Sequence, residues 1–250
     1  MSVPKRISAL NNMSCPSLAA LRTLDTERTH SMKANSGSAV GRVIQLWIEG
    51  SFVEEALLTA KREGEAYPKA DWDLVAKWAR AYVADARNHP GGRHGETDPA
   101  KCEAEVKLNI GCHPFVGHID QVRRLDGRLW VWDLKSGAGQ GVDMVSDYAW
   151  QQAAYAVACT ETWGEEVGFG GIIRLRGYFP RAKVEPSEAS VFFEAYWDTA
   201  KCRQVLSDPQ FLLDMLGRGE YLQLPGRHCR WCPAPSYPHC GDHIEECFAS

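Results

Sequence analysis

Hydrophobic residues recur at helical spacing in two stretches of the first hundred residues. The apolar positions of the first stretch are Val40, Val43, Ile44, Trp47 and Ile48. Residues three and four positions apart share one helical face, so this stretch predicts an amphipathic helix that continues past Gly50 to about Lys61. The same spacing at 72–86 predicts a second helix. The polar stretch 30–37 is expected to be a loop, and 8–24 is expected to contain short helical pieces.

An alternating pattern replaces the helical one after residue 100. Charged and apolar side chains alternate over 103–109, which is typical of a half-buried strand. In the segment 115–135, Asp126-Gly127 lies between two apolar-rich runs, and this is the strongest short signal for a two-residue hairpin turn. The elements predicted after the hairpin are a helix at 147–158, strands at 171–178 and 190–197, and a helix at 198–216.

The predicted hairpin brings charged side chains together. A two-residue turn at 126–127 sets Asp120 opposite Asp133 and His118 opposite Lys135. Facing side chains lie about 4.5–5.5 Å apart at Cβ, and like charges at that distance repel each other. The two carboxylates therefore need a counter-ion, and a hard divalent cation such as Mg²⁺ takes carboxylate oxygens as ligands. The hairpin predicts a metal site.

This arrangement of an acid, a strand and a D-x-K tripeptide resembles the PD-(D/E)XK nuclease superfamily. The matching residues are GHID at Gly117–Asp120 and DLK at Asp133–Lys135. The resemblance implies an α/β fold with a restriction-endonuclease-like core, in which a mixed central sheet is flanked by helices. It also implies that the two acids bind Mg²⁺ or Mn²⁺ with help from the carbonyl of Leu134, while Lys135 orients or activates the attacking water.

The predicted helix after the hairpin resembles the RecB-like branch of that superfamily, which carries a Q-x3-Y helix at this point. Gln151 and Tyr155 are four positions apart, and Tyr148 shares their helical face. The resemblance implies that Gln151 and Tyr155 position the DNA strand, with Arg174 on the next strand as a phosphate contact. The alternative is that both residues form a polar edge of a packed helix.

Two further positions are expected to bind the metal from the resemblance. RecB-like nucleases often carry G-x3-H in an N-terminal helix, but here Gly41 is followed by Gln45. A glutamine carbonyl can still ligate a hard cation, although it suits softer metals less well than imidazole. Relatives also often carry a glutamate on the first strand, which makes Glu105 the third acid. The alternative for Gln45 and Glu105 is an ordinary place on the surface.

The cysteines near the C-terminus form a third likeness. Cys229, Cys232 and Cys240 are spaced C-x2-C-x7-C, and Cys15 lies far away near the N-terminus. This pattern resembles the iron–sulfur subgroup of RecB-like nucleases, which includes AddB-type and CRISPR-associated exonucleases. It implies a structural [4Fe–4S] cluster that joins the N- and C-terminal segments, because four thiolates suit such a cluster. The zinc alternative is a local tetrahedral site built from Cys229, Cys232 and the neighbouring His228, His239, Cys240 and His243.

Length and composition favour one domain over 1–250. With 250 residues, of which 44% are hydrophobic, the chain can bury one good core. Within it we distinguish a helical insertion and flap region at 36–100, a catalytic core at 101–180 and a cysteine segment at 225–247. The Pro-, Gly- and His-containing stretch 88–99 is expected to be a long loop that could cover substrate.

Cysteine content and charge bear on compartment and partners. The chain has nine cysteines, no apolar run of membrane-spanning length and no signal-peptide pattern, so we expect a cytoplasmic protein with no membrane partner. The net charge of −4 argues against a non-specific DNA coat. Residues 1–45 nevertheless carry six basic and two acidic side chains and could meet a phosphate backbone.

These observations predict a metal-dependent DNA exonuclease that acts on single-stranded DNA or DNA ends. Recombination, replication or CRISPR-adaptation proteins are the partners that the resemblance implies. Two alternatives remain at this point, a non-catalytic DNA-binding or assembly subunit and a zinc-containing nucleic-acid binder.

Overall fold

The computed structural model describes residues 5–12, 32–88, 95–136, 144–175 and 190–218. The strands are β1 (Lys5–Arg6), β2 (Glu96–Thr97), β3 (Glu105–Ile110), β4 (His113–His118), β5 (Gln121–Leu125), β6 (Arg128–Ser136), β7 (Val167–Leu175) and β8 (Ser190–Trp197). The helices are α1 (Met32–Ile48), α2 (Val53–Arg62), α3 (Trp72–Asn88), α4 (Met144–Trp163), α5 (Thr199–Val205) and α6 (Ser207–Gly217). Short 3₁₀ turns occupy Ile7–Asn12, Gly64–Ala66 and Pro99–Lys101.

The strands form two sheets. The smaller sheet has the order β1-β4-β3, and the larger has the order β2-β5-β6-β7-β8. In the larger sheet β6 and β7 are parallel, whereas its other neighbouring strands are antiparallel. The parallel pair requires a crossover connection, and α4 provides it between the two strands. The sheet is therefore mixed, as predicted.

The central strands are buried on both faces. One face of β6 and β7 packs with α1, α2 and α3 in a core that includes Trp132 and Ile173. The other face, which includes Val131 and Ile172, packs with α4 and the smaller sheet in a second core. Strands covered on both faces carry apolar side chains at successive positions, which is the pattern of a sheet held between helical layers.

The β5–β6 hairpin has the predicted turn. Asp126 and Gly127 both have positive φ, at 51° and 76°, as a turn of the I′ type requires. The pairing runs from Leu125 opposite Arg128 to Gln121 opposite Trp132, which confirms the predicted register over this length. Gly127 suits this turn because it has no Cβ to clash at positive φ, and Asp126 suits it because aspartate tolerates the left-handed region.

The prediction that the strand before this turn begins at Phe115 is wrong, because the strand of the hairpin begins only at Gln121. Residues 113–118 form a separate strand in the smaller sheet, where His118 pairs with Glu105 instead of Lys135. Lys135 pairs with Arg174 of β7. The chain changes sheets at Ile119, which is fully buried and whose backbone bonds to residues 103 and 104. Burial of this side chain in the core of the smaller sheet breaks the straight continuation of the hairpin.

The helical prediction for the first hundred residues needs two corrections. The helix expected to pass through Gly50 ends at Ile48, because Gly50 has φ of 108°, and a second helix begins at Val53. The loop expected at 30–37 is helical from Met32 onward, where the hydroxyl of buried Ser36 donates to the carbonyl of Met32 at 2.8 Å. The helix predicted over 72–86 is confirmed as α3.

Some predicted features lie outside the described residues. These are most of the helical pieces at 8–24, the middle of the loop at 88–99, the end of the strand at 171–178 and the whole cysteine segment at 225–247. No helix in the described ranges has both the length and the apolar character needed to span a bilayer.

Candidate active site

A cavity of about 470 Å³ lies between α1 and the sheet, beside the start of β5 and the end of β6. Helix α1 comes close to β6 here because Gly37 has no side chain, and a Cβ at that position would collide with the hydroxyl of Ser136. The polar residues of the lining are Arg42, Gln45, Glu103, Asp120, Gln121, Lys135 and Ser136, together with Ser38 and Tyr67.

One aspartate lines this cavity and a second lies buried beside it. Asp133 lies on β6 and is 3% exposed, and Asp120 directly precedes β5. The Oδ2 atom of Asp120 accepts a hydrogen bond from the backbone N–H of Leu134 at 2.6 Å. Burial, followed by the charge of Asp133, raises the pKa of Asp120 to about 7, and Lys135 and the Leu134 N–H act in the opposite direction. The expected closeness of the two acids is thus reproduced, although their strands pair only from Gln121.

Lys135 completes the charged group. Its Nζ lies 2.6 Å from Oδ2 of Asp133 and 4.8 Å from the centre of the Tyr148 ring. Burial acts to lower the pKa of Lys135, but the charges of Asp133 and Asp120 and the hydrogen bond to Asp133 outweigh burial and raise that pKa. The side chain therefore stays cationic and acts as a donor, and it is not a base.

The donor set at the cavity fits a hard divalent cation. Asp120 lines the cavity together with Gln45 and Glu103, and the buried carboxylate of Asp133 lies close enough to Asp120 to raise its pKa. Oxygen ligands of this kind are those that Mg²⁺ and Mn²⁺ take in proteins. A cation would also relieve the repulsion that raises the pKa of Asp120.

Gln151 and Tyr155 lie on α4, and neither lines the cavity. They are 4% and 7% exposed, and their side chains hydrogen-bond to each other. Burial raises the pKa of Tyr155 to about 12, the hydrogen bond from Gln151 opposes this, and the charges of Asp120 and Asp133 add to it. The phenol therefore remains protonated at neutral pH and can donate. The structure brings both residues into the electrostatic field of the two acids.

Gln45 reaches the cavity, but its amide is already hydrogen-bonded. Its Oε1 accepts from Nη1 of Arg42 at 3.0 Å, and its Nε2 donates to Oε1 of Glu49 at 3.0 Å. A metal ligand at Gln45 would share its carbonyl oxygen with Arg42. Arg42 in turn donates to both carboxylate oxygens of Glu63 at 3.0 Å.

Glu105 is not among the residues that line the cavity. It is exposed on β3 in the smaller sheet, with Lys107 Nζ at 3.3 Å and His118 Nε2 at 3.9 Å. Glu103, two residues earlier, lines the cavity instead, and burial raises the pKa of its carboxyl. Glu103 has φ of 54°, so its side chain does not follow the alternating directions of the strand residues after it. The sequence contains no signal for that conformation.

A buried polar network behind Asp120 was also missed by the sequence analysis. The hydroxyl of Tyr82 donates to Oε1 of Gln121 at 3.0 Å, and Nη2 of Arg123 donates to both groups at 3.1 Å. Gln121 is 1% exposed and directly follows Asp120. The network fixes the start of β5 and with it the acid. Tyr82 occurs in the predicted helix 72–86 as one apolar position among several, and this spacing does not indicate that its hydroxyl forms hydrogen bonds.

Several predicted residues fall outside the described part of the chain. Cys15, Cys229, Cys232 and Cys240 lie there, and their proposed cluster stays a prediction. The backbone of Arg174 pairs with Lys135, but its side chain is not described.

Comparisons with known proteins bear on these residues. A family model of the PD-(D/E)XK nuclease superfamily matches residues 8–237. A solved structure described as "Crystal structure of SSO0001" shares 11% sequence identity over 92% of this chain and 94% of that chain, with a TM-score of 0.37. This TM-score is too low for the likeness to support a conclusion about the fold or function of this protein. The comparison with curated proteins finds no match.

Proposed function

The chain belongs to the PD-(D/E)XK nuclease superfamily, and on this premise we propose that it is a RecB-like, metal-dependent DNA exonuclease. The superfamily match indicates a nuclease. The observation that supports a working catalytic site is that Asp120 and Lys135 line one cavity while the buried Asp133 contacts Lys135 and interacts electrostatically with Asp120. Its substrate is proposed to be single-stranded DNA or a DNA end.

Asp120 and Asp133 would hold Mg²⁺ or Mn²⁺, with the carbonyl of Leu134 and the amide of Gln45 as further ligands. When bound, the cation supplies Lewis-acid stabilisation of the charge that develops on the scissile phosphate and lowers the pKa of water. Asp120 must give up its proton to act as a ligand, so its raised pKa makes cation binding and ionisation one linked event.

Lys135 would orient the attacking water and stabilise negative charge on the phosphate. Its contact with Asp133 holds the ammonium group in place, and the Tyr148 ring lies 4.8 Å from Nζ. Preorganised donors of this kind act where charge develops, at little cost of reorganisation during the reaction. Tyr155, protonated and paired with Gln151, would position the nucleic-acid strand from the α4 side.

Replacing Lys135 tests the proposal directly. Lys135→Ala removes the cation beside Asp133, so we expect the cleavage rate of end-labelled DNA with Mg²⁺ to fall about a hundredfold or more. DNA binding should persist, because most of the surface that contacts the backbone is untouched. The matched control is Lys107→Ala, which removes an exposed lysine of β3 and should leave cleavage unchanged.

The same assay separates the proposal from the non-catalytic alternative. Full activity in Lys135→Ala would contradict the assigned site. A wild-type protein that binds DNA but never cleaves it, with Mg²⁺ or with Mn²⁺, would support a non-catalytic DNA-binding or assembly subunit. Labels at the 5′ or 3′ end of single- and double-stranded substrates report whether the enzyme degrades from ends and in which direction.

We also propose that Cys15, Cys229, Cys232 and Cys240 hold a structural [4Fe–4S] cluster. Support comes from their number and spacing and from the likeness to the iron–sulfur nucleases. Hydrolysis of a phosphodiester involves no oxidation or reduction, so we propose that the role of the cluster is structural. Anaerobically purified protein should be brown and contain iron, whereas a colourless protein that contains zinc would contradict the cluster.

A further inference from the structure

A second group of metal-ligating side chains lies away from the cavity, where the β3–β4 turn meets α6. It consists of Cys112, His113 and Asp214, and one ligand atom of each lies within 4.8 Å of the others. None of the three lines the cavity that holds Asp120. The group joins the smaller sheet to the last described helix.

The spacing of two of these ligands already suits a tetrahedral metal. Nε2 of His113 lies 3.2 Å from Oδ1 of Asp214. Two ligands at zinc bond lengths near 2.0–2.2 Å and a tetrahedral angle are about 3.3–3.6 Å apart, slightly more than the distance between these two atoms. A metal could therefore replace the hydrogen bond between these atoms with no movement of the backbone. Cys112 is exposed, so its side chain has room to rotate and bring the sulfur to about 3.6 Å from the nitrogen, the separation that the longer zinc–sulfur bond requires.

The backbone around the group is held in place from both sides. Gly111 has φ of 60° in the turn, and a Cβ at that position would lie 3.2 Å from Nε2 of Gln210 on α6. Gln210 and Asp214 are four positions apart and share one face of that helix. The turn therefore packs closely on the face of α6 that presents the carboxylate, which fixes the distance between the ligands.

The geometry points to a Zn²⁺ site formed by Cys112, His113 and Asp214, with water or the amide oxygen of Gln210 in the fourth position. A thiolate, an imidazole and a carboxylate form a mixed ligand set that favours zinc over magnesium. The ion would link the β3–β4 turn to α6 and stabilise the contact between the smaller sheet and this helix. This inference is independent of the proposed nuclease activity.

Protection of a single thiol tests the site without interference from other cysteines. The full chain is treated with iodoacetamide in the presence of Zn²⁺ or Mg²⁺, and the alkylation rate of Cys112 is measured by peptide mass spectrometry. We expect Zn²⁺ to slow this rate about tenfold or more, whereas Mg²⁺ should have no effect, because the coordinated sulfur is no longer free to react. An unchanged rate with Zn²⁺ would overturn the inference.

Variants of the other ligands show whether they hold the ion. In Asp214→Asn and His113→Gln the protection by Zn²⁺ should be lost, because removal of one ligand weakens zinc binding by roughly tenfold or more. The matched control is His118→Gln, at the exposed other end of β4, which should keep full protection. Equal protection in all four proteins would mean that Asp214 and His113 are not ligands. Asp214→Asn is nearly isosteric at a partly exposed position, and circular dichroism confirms the fold of each variant.

Discussion

Asp120 shows how strongly the surroundings of one residue determine its chemistry. An aspartate normally ionises near pH 3.8, but burial and the neighbouring Asp133 raise the pKa of Asp120 to about 7. Without a cation, the folded protein therefore binds a proton at this site in a pH range where the unfolded chain has released it. Ionisation of Asp120 therefore destabilises the folded state relative to the unfolded chain and lowers the free energy of unfolding.

This difference predicts how the stability of metal-free protein depends on pH. Because the pKa is higher in the folded state than in the unfolded state, the contribution of Asp120 to stability is fully present below about pH 4 and is lost as the pH rises towards 7. Thermal unfolding in a chelator, followed from pH 5 to pH 8, should show this decline. Asp120→Asn should flatten it, whereas Asp126→Asn in the exposed hairpin turn should behave like the wild type. An equal slope in Asp120→Asn and wild type would contradict the assignment.

Gln45 determines which metal the site prefers, if it is a ligand. An amide oxygen suits a hard cation, whereas imidazole also suits softer ions. Gln45→His should therefore raise the ratio of Mn²⁺-supported to Mg²⁺-supported cleavage. Gln45→Ala is the control, since it breaks the bonds to Arg42 and Glu49 without supplying a new ligand. A ratio that stays equal or shifts towards Mg²⁺ in Gln45→His would count against a metal contact.

At the scale of elements, the missing side chain of Gly117 lets β4 pack closely against the Tyr155 ring of α4. A Cβ at this position would lie 2.6 Å from Cε1 of Tyr155 and 3.1 Å from Cβ of Ile7. Gly117→Ala should therefore displace the tyrosine ring and destabilise the fold by about 1–3 kcal/mol, as overpacking of a core does. Cleavage should fall as well, because Tyr155 lies beside the acids.

Chemical denaturation and the DNA assay together measure both effects. Gly64→Ala is the control, because a Cβ there meets no atom within 4 Å. A Gly117→Ala variant with unchanged stability and unchanged cleavage would show that the ring has room to move, and Tyr155 would then lose its assigned part in positioning.

Local turn chemistry explains why some elements could be predicted and others could not. The β5–β6 hairpin depends on Asp126-Gly127 alone, so its register followed from the sequence. The β3–β4 hairpin turns at Gly111-Cys112, a pair that gives no comparable signal, and its strand was merged with the next one. The break after Ile48 depends on the positive φ of Gly50, whose neighbours continue the apolar spacing. Both failures arose at glycines whose positive φ is not signalled by the neighbouring residues.

The same distinction applies to the site. Asp120, Asp133 and Lys135 lie close together in the sequence around one hairpin, so their proximity was predicted, although Asp120 precedes β5 and does not pair with Asp133. Glu103 could not be found, because its approach to the cavity depends on its own positive φ and on the bond from its N–H to the carbonyl of Ile119 at 2.6 Å. The family resemblance pointed to Glu105 instead, which is exposed on another sheet, and the alternation put both glutamates on one face. The pattern identifies a strand but not the surface that its polar face meets.

The described residues form a layered α/β structure in which the first and last described elements pack on the same core. Strand β1 pairs in parallel with β4, and the turn at Ile7–Asn12 contributes Ile7 and Leu10 to the core shared with α4. Helix α6, the last helix of the described residues, contributes Leu212 and Leu213 to that core. A cluster that joined Cys15 to the C-terminal cysteines would therefore link the two ends of the chain, and its loss would lower the stability of the fold.

Loss of one proposed cluster ligand should reveal that dependence. Cys232→Ser should lose both iron and the brown colour and unfold at a lower temperature, because metal binding and folding are linked. Iron analysis and thermal unfolding under anaerobic conditions measure the two effects. Cys112→Ser changes an exposed cysteine outside the proposed quartet and should retain iron. A Cys232→Ser protein without iron but with wild-type stability would contradict a structural cluster.

The change of sheet at Ile119 has a consequence for the timing of activity during synthesis. Asp133 lies within the larger sheet, but the direction of Asp120 is fixed by Ile119, which is anchored in the smaller one. A nascent chain with only one sheet assembled would have both acids but could not hold them together. The two acids would then come together only after both sheets have assembled.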